Sequence, residues 1–281
     1  YRNMRRAVLG SGFVVPPEIS PWPDLRYWIP TSARSNDLRK AEDVLLRRVN
    51  EQLARDNVHP LERLADLYAS ADATFLLTFR ELDHYPNRGD AQYLGSWFPE
   101  GGAEPEWPSG DRPRLFAYLK PPAPGWRLAE LLAFLRETGL STLVYVPGVD
   151  SAWRQKFETP RLRFAGGPVN IHKAAKECDV AIFNGTAGSM TAMLLAGIPQ
   201  LNIPFYLEQI VGSRRVADLR AGLVANPRRP EQIAARLMLL LKSDGYRQHA
   251  KAFSQKYADF SPQQAIQQTV GMIQSLIRSG N

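Results

Sequence analysis

Six small residues, Asn184-Gly185-Thr186-Ala187-Gly188-Ser189, stand between an apolar run at 180–183 and a second apolar segment at 190–196. The run is short and free of charge, which is the pattern of a buried parallel strand; the segment after it reads as a helix stopped by Gly197. A strand that feeds a helix through a Gly-rich turn leaves backbone N–H groups without partners at the helix start. The positive end of the helix dipole adds to them, and together they form a seat for phosphate. Gly185 and Gly188 carry no Cβ, so a bulky anion can approach the backbone. A second strand at 200–203, closed by Pro204, and then Glu208-Gln209 follow. Such a turn lies at the C-terminal edge of a parallel sheet, where open α/β folds bind ligands.

The elements that must hold this turn are legible on both sides of it. From residue 113 onward the pattern alternates: strand 115–119, helix 127–138, strand 142–146, strand 162–164, helix 171–177. Helices follow near 208–220, 230–243, 246–258 and 262–279. That order implies an α/β domain with a parallel sheet covered on both faces, Rossmann-like in type. The front of the chain is less regular. Residues 7–15 read as an interior strand and its exit, and 16–36 as a loop rich in Pro, Trp and Ser. Asn36 or Asp37 can cap a helix to about residue 56, with Leu38, Ala41, Leu45, Val49 and Leu53 at helical spacing. A second helix is expected at 61–68, packing Leu61, Leu64, Ala65 and Tyr68, then a buried strand at 73–79 and a loop at 80–88. Residues 99–113 hold four Pro and three Gly and read as a linker.

Length and composition bound the possibilities. The 281 residues allow one large or two medium domains, and 44% hydrophobic with 22% charged residues is ordinary for a globular chain. No apolar stretch reaches the ~18 residues of a membrane span. The net charge of +7 is uneven: residues 1–110 carry 13 Lys+Arg against 16 Asp+Glu, and the remainder carry 22 against 12. A basic second half suits an anionic ligand. Lys/Arg runs with interleaved aromatics are missing, which argues against nucleic acid. Arg214-Arg215 and Arg228-Arg229 are either solvated or in contact with an anionic membrane surface. The single Cys178 excludes an internal disulfide framework, fits a reducing, cytoplasmic compartment, and beside a buried strand reads as inert packing. One Cys and four dispersed His give no zinc spacing. The chain opens on Tyr1, with no initiator Met and no signal pattern, and reads as starting inside a domain.

These residues carry a resemblance. Asn184 to Ser189, then Ala196-Gly197-Ile198-Pro199-Gln200, Ile203-Pro204 and Glu208-Gln209 stand in the order and at the intervals of the donor-binding domain of GT-B glycosyltransferases. The pattern is similar to the bacterial enzymes that decorate antibiotics and lipids, related to the UDP-glucuronosyltransferase-like families. The resemblance implies a GT-B fold: a complete C-terminal Rossmann-like domain at 114–261, a linker at 99–113, and an incomplete N-terminal Rossmann-like acceptor domain at 1–98. The terminal helix, 262–281, is expected to pack back toward the N-terminal domain.

The same resemblance implies roles. Asn184, Gly185, Thr186, Ala187, Gly188 and Ser189 would hold the donor diphosphate, Glu208 and Gln209 the donor sugar, and Val169 and Asn170 would lie near the base. Lys120, just past the first strand of that domain, can reach a phosphate. The reaction implied is inverting, metal-independent transfer of a sugar from a UDP- or dTDP-linked donor to a small-molecule or lipid acceptor hydroxyl. No further cofactor is implied, and the chain would work in the cytoplasm or peripherally on the inner membrane face. A nucleotide-sugar epimerase of the same fold and a non-catalytic nucleotide-sugar binder are the alternatives. Two positions depart from the family pattern: the motif His is Asn184, and the ribose-binding Glu of plant-type relatives is Ala192. No catalytic base is identified. Glu81, Asp83 and His84 follow a buried strand and offer either an acid/base pair or a hinge; His172 reads as a surface or packing residue.

Overall fold

The computed structural model describes residues 4–30, 34–97 and 101–278. The chain forms two compact units, Tyr1–Trp97 with Phe260–Asn281, and Phe98–Asp259.

The first unit is built on β1 (Ala7–Gly10) and β2 (Ala73–Leu76), paired in parallel with Ala7 opposite Ala73. Helices α1 (Ser35–Arg55) and α2 (Asp66–Ala69) lie between them in the chain, and the C-terminal helix α10 (Pro262–Arg278) belongs to the same unit. Helix α1 departs from expectation. It starts at Ser35 after Arg34, with no side-chain cap, so neither Asn36 nor Asp37 caps it. Its one buried residue is Glu42, whose carboxylate accepts from Ser20 Oγ (2.5 Å) and Trp22 N (2.7 Å). A carboxylate thus docks this helix onto the Pro/Trp loop, while Leu45, expected in the core, is half exposed. The helix expected at 61–68 shrinks to α2. Asp66 accepts from the Arg63 backbone and guanidinium, and that local turn competes with a longer helix. The strand expected at 73–79 ends at Leu76, followed by a 3-10 turn, Arg80–Leu82.

In the second unit, β3 (Arg114–Tyr118), α3 (Leu128–Thr138), β4 (Ser141–Tyr145), α4 (Ser151–Gln155), β5 (Leu162–Phe164) and α5 (Ile171–Glu177) lead to β6 (Val180–Phe183). Then come α6 (Ala187–Leu195), β7 (Gln200–Asn202), α7 (Leu207–Asp218), β8 (Gly222–Val224), α8 (Pro230–Lys242) and α9 (Asp244–Lys256). The six strands form one parallel sheet in the order β5-β4-β3-β6-β7-β8. Alternate residues feed two cores. Leu115 and Ala117 face a cluster with α3 and α8, while Phe116 faces Leu143, Ala181 and Phe183 on the other side. Both faces are apolar because helices cover both, as a parallel sheet requires. Helix α3 buries Leu128, Leu131, Leu132 and Leu135, a spacing that places all four on one stripe. It ends at Gly139, whose φ of +64° is left-handed.

The short elements α4 and β8 go beyond what the sequence pattern indicates; each is too brief for periodicity to register. Residues 101–113 are not a free linker. Ala103 bridges to Val169, Trp107 donates its indole N–H to Glu177 (2.7 Å), Ser109 donates to the Pro160 carbonyl, and Glu104 pairs with Lys173. Pro and Gly shape this segment, but these four contacts tether it within the second unit. Among the described residues no helix is long and apolar enough to cross a membrane.

Cys178, the C-cap of α5, is buried with its Sγ 4.0 Å from Met193 Sδ of α6, and burial pushes its thiol up to about 12. The thiolate is the reactive form. A neutral-pH thiol reagent should therefore leave the native protein unlabelled and react with Cys178 only once urea has unfolded it. Stoichiometric labelling of the folded chain within the mixing time would refute this burial.

Candidate functional site

The sheet order reverses direction between β3 and β6: chain order runs outward from β3 through β4 and β5 on one side, and from β6 through β7 and β8 on the other. Such a switch point leaves a crevice at the carboxyl ends of the two strands. The turn 184–189 leaves β6 there, beside the exit of β3.

Asn184, the first residue of the turn, is buried and engaged at both ends of its amide. Its Oδ1 accepts from the Lys120 backbone N–H (2.5 Å) at the end of β3, and its Nδ2 donates to the Ile203 carbonyl (3.0 Å) beyond β7. Both ends of the amide tie three strand exits together, so the expected phosphate contact would have to come from the second Nδ2 hydrogen. Gly185 follows at φ +78°, and a Cβ there would lie 2.5 Å from Ser213 Oγ and 3.1 Å from the Gln209 carbonyl on α7. The glycine serves a left-handed turn and the close approach of a helix at once.

Thr186 is the N-cap of α6 but makes no capping bond; its hydroxyl donates instead to Ser189 Oγ (3.0 Å). The helix begins at Ala187, earlier than the 190 expected, so Ala187, Gly188 and Ser189 are its first turn. The first main-chain bond of the helix runs from Met190 N to the Thr186 carbonyl (3.0 Å). The N–H groups of Ala187, Gly188 and Ser189 therefore point out of the helix start with no partner inside it. Thr186 and Ala187 are exposed, and Gly188 and Ser189 half-buried, so this end of the helix is accessible.

The other expected residues divide. Lys120 leaves β3 next to the turn, its Nζ 3.7 Å from the Tyr206 ring centre and 5.3 Å from that of Phe205. Gln209, in the first turn of α7, is buried, and its Oε1 accepts from the Phe205 backbone (2.9 Å); half of its amide is thus spent on the loop that follows β7. Glu208 is exposed in that same turn. Asn170 caps α5 by accepting from Lys173 N (3.1 Å), and its own N–H donates to Ala103, so its side chain is a helix cap. Val169 packs on the second core cluster under the Ala103 bridge. His172 stands in the first turn of α5.

In the first unit, Asp83 is fully buried and saturated. It accepts from Arg88 Nε (2.5 Å), Tyr93 Oη (2.9 Å) and the Tyr85 backbone (3.1 Å). A carboxylate so engaged organises the end of β2 and has no capacity to serve as a base. Burial together with the Asp83 charge pushes the Tyr93 hydroxyl up to about 12. Arg215, expected as solvated, has a side chain only 14% exposed and pairs with Asp218 (3.1 Å). One buried polar residue lay outside the sequence reading: Asn202, at the end of β7, finds no hydrogen-bond partner for either end of its amide among the described residues. Among the described residues no group of three His, Cys, Asp or Glu is placed to hold a metal ion.

Residues 160–272, which contain this whole turn, match the family model described as "Erythromycin biosynthesis protein CIII-like, C-terminal domain". No curated protein matches the sequence. The fold is that of GT-B glycosyltransferases. The glycosyltransferase of kitacinnamycin is similar with a TM-score of 0.67 at 14% identity, over 89% of this chain and 68% of that one. Spinosyn rhamnosyltransferase SpnG gives 0.58 at 19%, over 74% and 57%. The glycosyltransferase VinC, solved in complex with dTDP, gives 0.57 at 19%, over 74% and 52%. The match thus spans a little over half the length of SpnG and VinC.

Replacing Asn184 by Ala strands the Lys120 N–H and the Ile203 carbonyl. Each orphaned buried group costs about 1–3 kcal/mol. Asn184→Ala should therefore lower unfolding stability in urea by at least that amount, whether or not any ligand is present. A ligand-free stability equal to that of the parent would show that the amide does not tie the strand exits.

Proposed function

We propose that this chain, with a CIII-like domain over residues 160–272 on a GT-B fold, is a glycosyltransferase using a UDP- or dTDP-linked sugar. The acceptor is a hydroxyl of a small molecule or lipid, and the reaction inverts the configuration at C1. One observation carries the reading: the uncapped first turn of α6, open at the switch point of the sheet.

In this reading the N–H groups of Ala187, Gly188 and Ser189 and the Ser189 hydroxyl receive the diphosphate. Thr186 donates to Ser189 Oγ, which leaves the Ser189 O–H to turn toward a ligand. Glu208 and the Nε2 hydrogens of Gln209 take hydroxyls of the donor sugar. The loop at Val169 and Asn170 lies toward the base through its main chain, since the Asn170 side chain is committed to α5. As the C1–O bond breaks, negative charge grows on the leaving diphosphate. Fixed N–H dipoles stabilise that charge without reorganising, and one such donor is typically worth roughly 3–4 kcal/mol of barrier. Because these donors and Lys120 serve the leaving group themselves, the proposal includes independence from a divalent metal.

The decisive variant is Gly188→Asp. A carboxylate in the first helical turn favours the helix through its dipole, so the fold should survive, while the anion seat is occupied by like charge. Calorimetric titration with UDP and dTDP should show binding by the parent and a loss of at least about 100-fold in the variant, because like charges about 4 Å apart near a protein surface repel by roughly 4 kcal/mol. With the full-length enzyme, transfer should continue in EDTA, and product NMR should show an inverted anomeric centre. Binding without transfer would identify a non-catalytic binder, and isomerised donor an epimerase. Equal binding by Gly188→Asp would overturn the site.

A further inference from the structure

We infer that Tyr206, backed by Phe205, is a positioning residue that holds Lys120 beside the turn 184–189, where Lys120 supplies the positive charge that Asn184 lacks. This rests on the donor-site reading above. Lys120 is pinned through its main chain at both ends: its N–H donates to Asn184 Oδ1, and its carbonyl accepts from Trp126 Nε1 (3.1 Å). Its side chain lies across the aromatic pair that follows β7, with the ammonium 3.7 Å from the Tyr206 ring centre. That pair is itself braced. Trp126 meets Phe205 edge-on at 5.4 Å, and the Phe205 N–H is held by Gln209 Oε1. Three strand exits, those of β3, β6 and β7, therefore converge on one cation.

Tyr206 has no other evident employment. It is the N-cap of α7, a position that favours Ser, Thr, Asp or Asn, and it makes no side-chain cap bond. The residue is 61% exposed, so it contributes little to the core. Among the described residues Lys120 forms no ion pair. An ammonium over an exposed aromatic face is held weakly, more weakly than by charge-assisted hydrogen bonds to phosphate oxygens. The ring thus keeps the lysine ordered in the empty site and stays against it in the complex, because an ammonium resting on one ring face still has N–H donors to offer an arriving diphosphate. Ordering the chain beforehand reduces what binding must spend on immobilising it. The effect is specific to the diphosphate part of a ligand, because it acts through charge.

The test is a double-mutant cycle on the whole chain, titrated with dTDP and UDP and, by competition, with thymidine and uridine. Tyr206→Ala should weaken the diphosphates by about three- to tenfold, the range of a cation–π contact. It should leave the nucleosides and the melting temperature unchanged, and Tyr206→Phe, which keeps the ring, should restore affinity. In a Lys120→Met background, Tyr206→Ala should have no further effect, because it acts through the lysine. Additive losses in the double variant, equal losses for nucleoside and diphosphate, or no loss at all would overturn the inference while leaving the donor site standing. Failure of the parent to bind either diphosphate would remove the donor site itself, and this inference with it.

Discussion

The amide of Asn184 is the contact on which the rest of the site depends. A parallel sheet is held by its ladder hydrogen bonds only as far as the strands run. Past their ends, β3, β6 and β7 each enter a loop, and a crevice opens where the chain order reverses. One side chain, accepting from Lys120 and donating to Ile203, holds those three exits in register. An amide can do this because it offers both an acceptor and donors in a fixed plane. A protonated imidazole, with two N–H donors, would have no acceptor for the Lys120 N–H, and a neutral one could accept and donate only in a single tautomer.

This division of labour recurs throughout the second unit. Polar side chains are spent on scaffold: Asn184 on strand exits, Gln209 on the loop after β7, Asn170 on the start of α5. What stays open is main chain in the first turn of α6 with the Ser189 hydroxyl, the exposed Glu208, the Nε2 end of Gln209, and one lysine resting on an aromatic shelf. Backbone N–H groups are well suited to receive a diphosphate. They are rigid, they carry no pKa, and the helix behind them aligns their dipoles. Helix α7 can crowd against this turn because it presents Gly212 and Ser213 there and because Gly185 has no Cβ to obstruct it.

The alternation of strands and helices beyond residue 113 was readable because each element has an unbroken apolar face. Strands at 162–164 and 180–183 and the helix at 171–177 match their observed bounds. The first unit was harder to read, and for a physical reason. Helix α1 is docked through Glu42 rather than through its leucines, and α2 is shortened by a local Asp66 turn. Both outcomes hinge on which polar group meets which, and periodicity carries no such information. The 99–113 segment is similar: its Pro and Gly content marks irregular backbone correctly but says nothing of whether the irregular backbone is tethered.

From its residues alone, the chain determined an α/β domain with a Gly-rich strand-to-helix turn and an excess of positive charge over residues 111–281. Those features are local, arising from spacing, small residues and composition. Only the folded arrangement decided which polar atoms remained for a ligand, because hydrogen bonds between loops far apart in sequence consume some donors and leave others. Asn184 and Lys120 are separated by dozens of residues, yet one fixes the backbone of the other. That pairing exists only once β3 and β6 lie side by side.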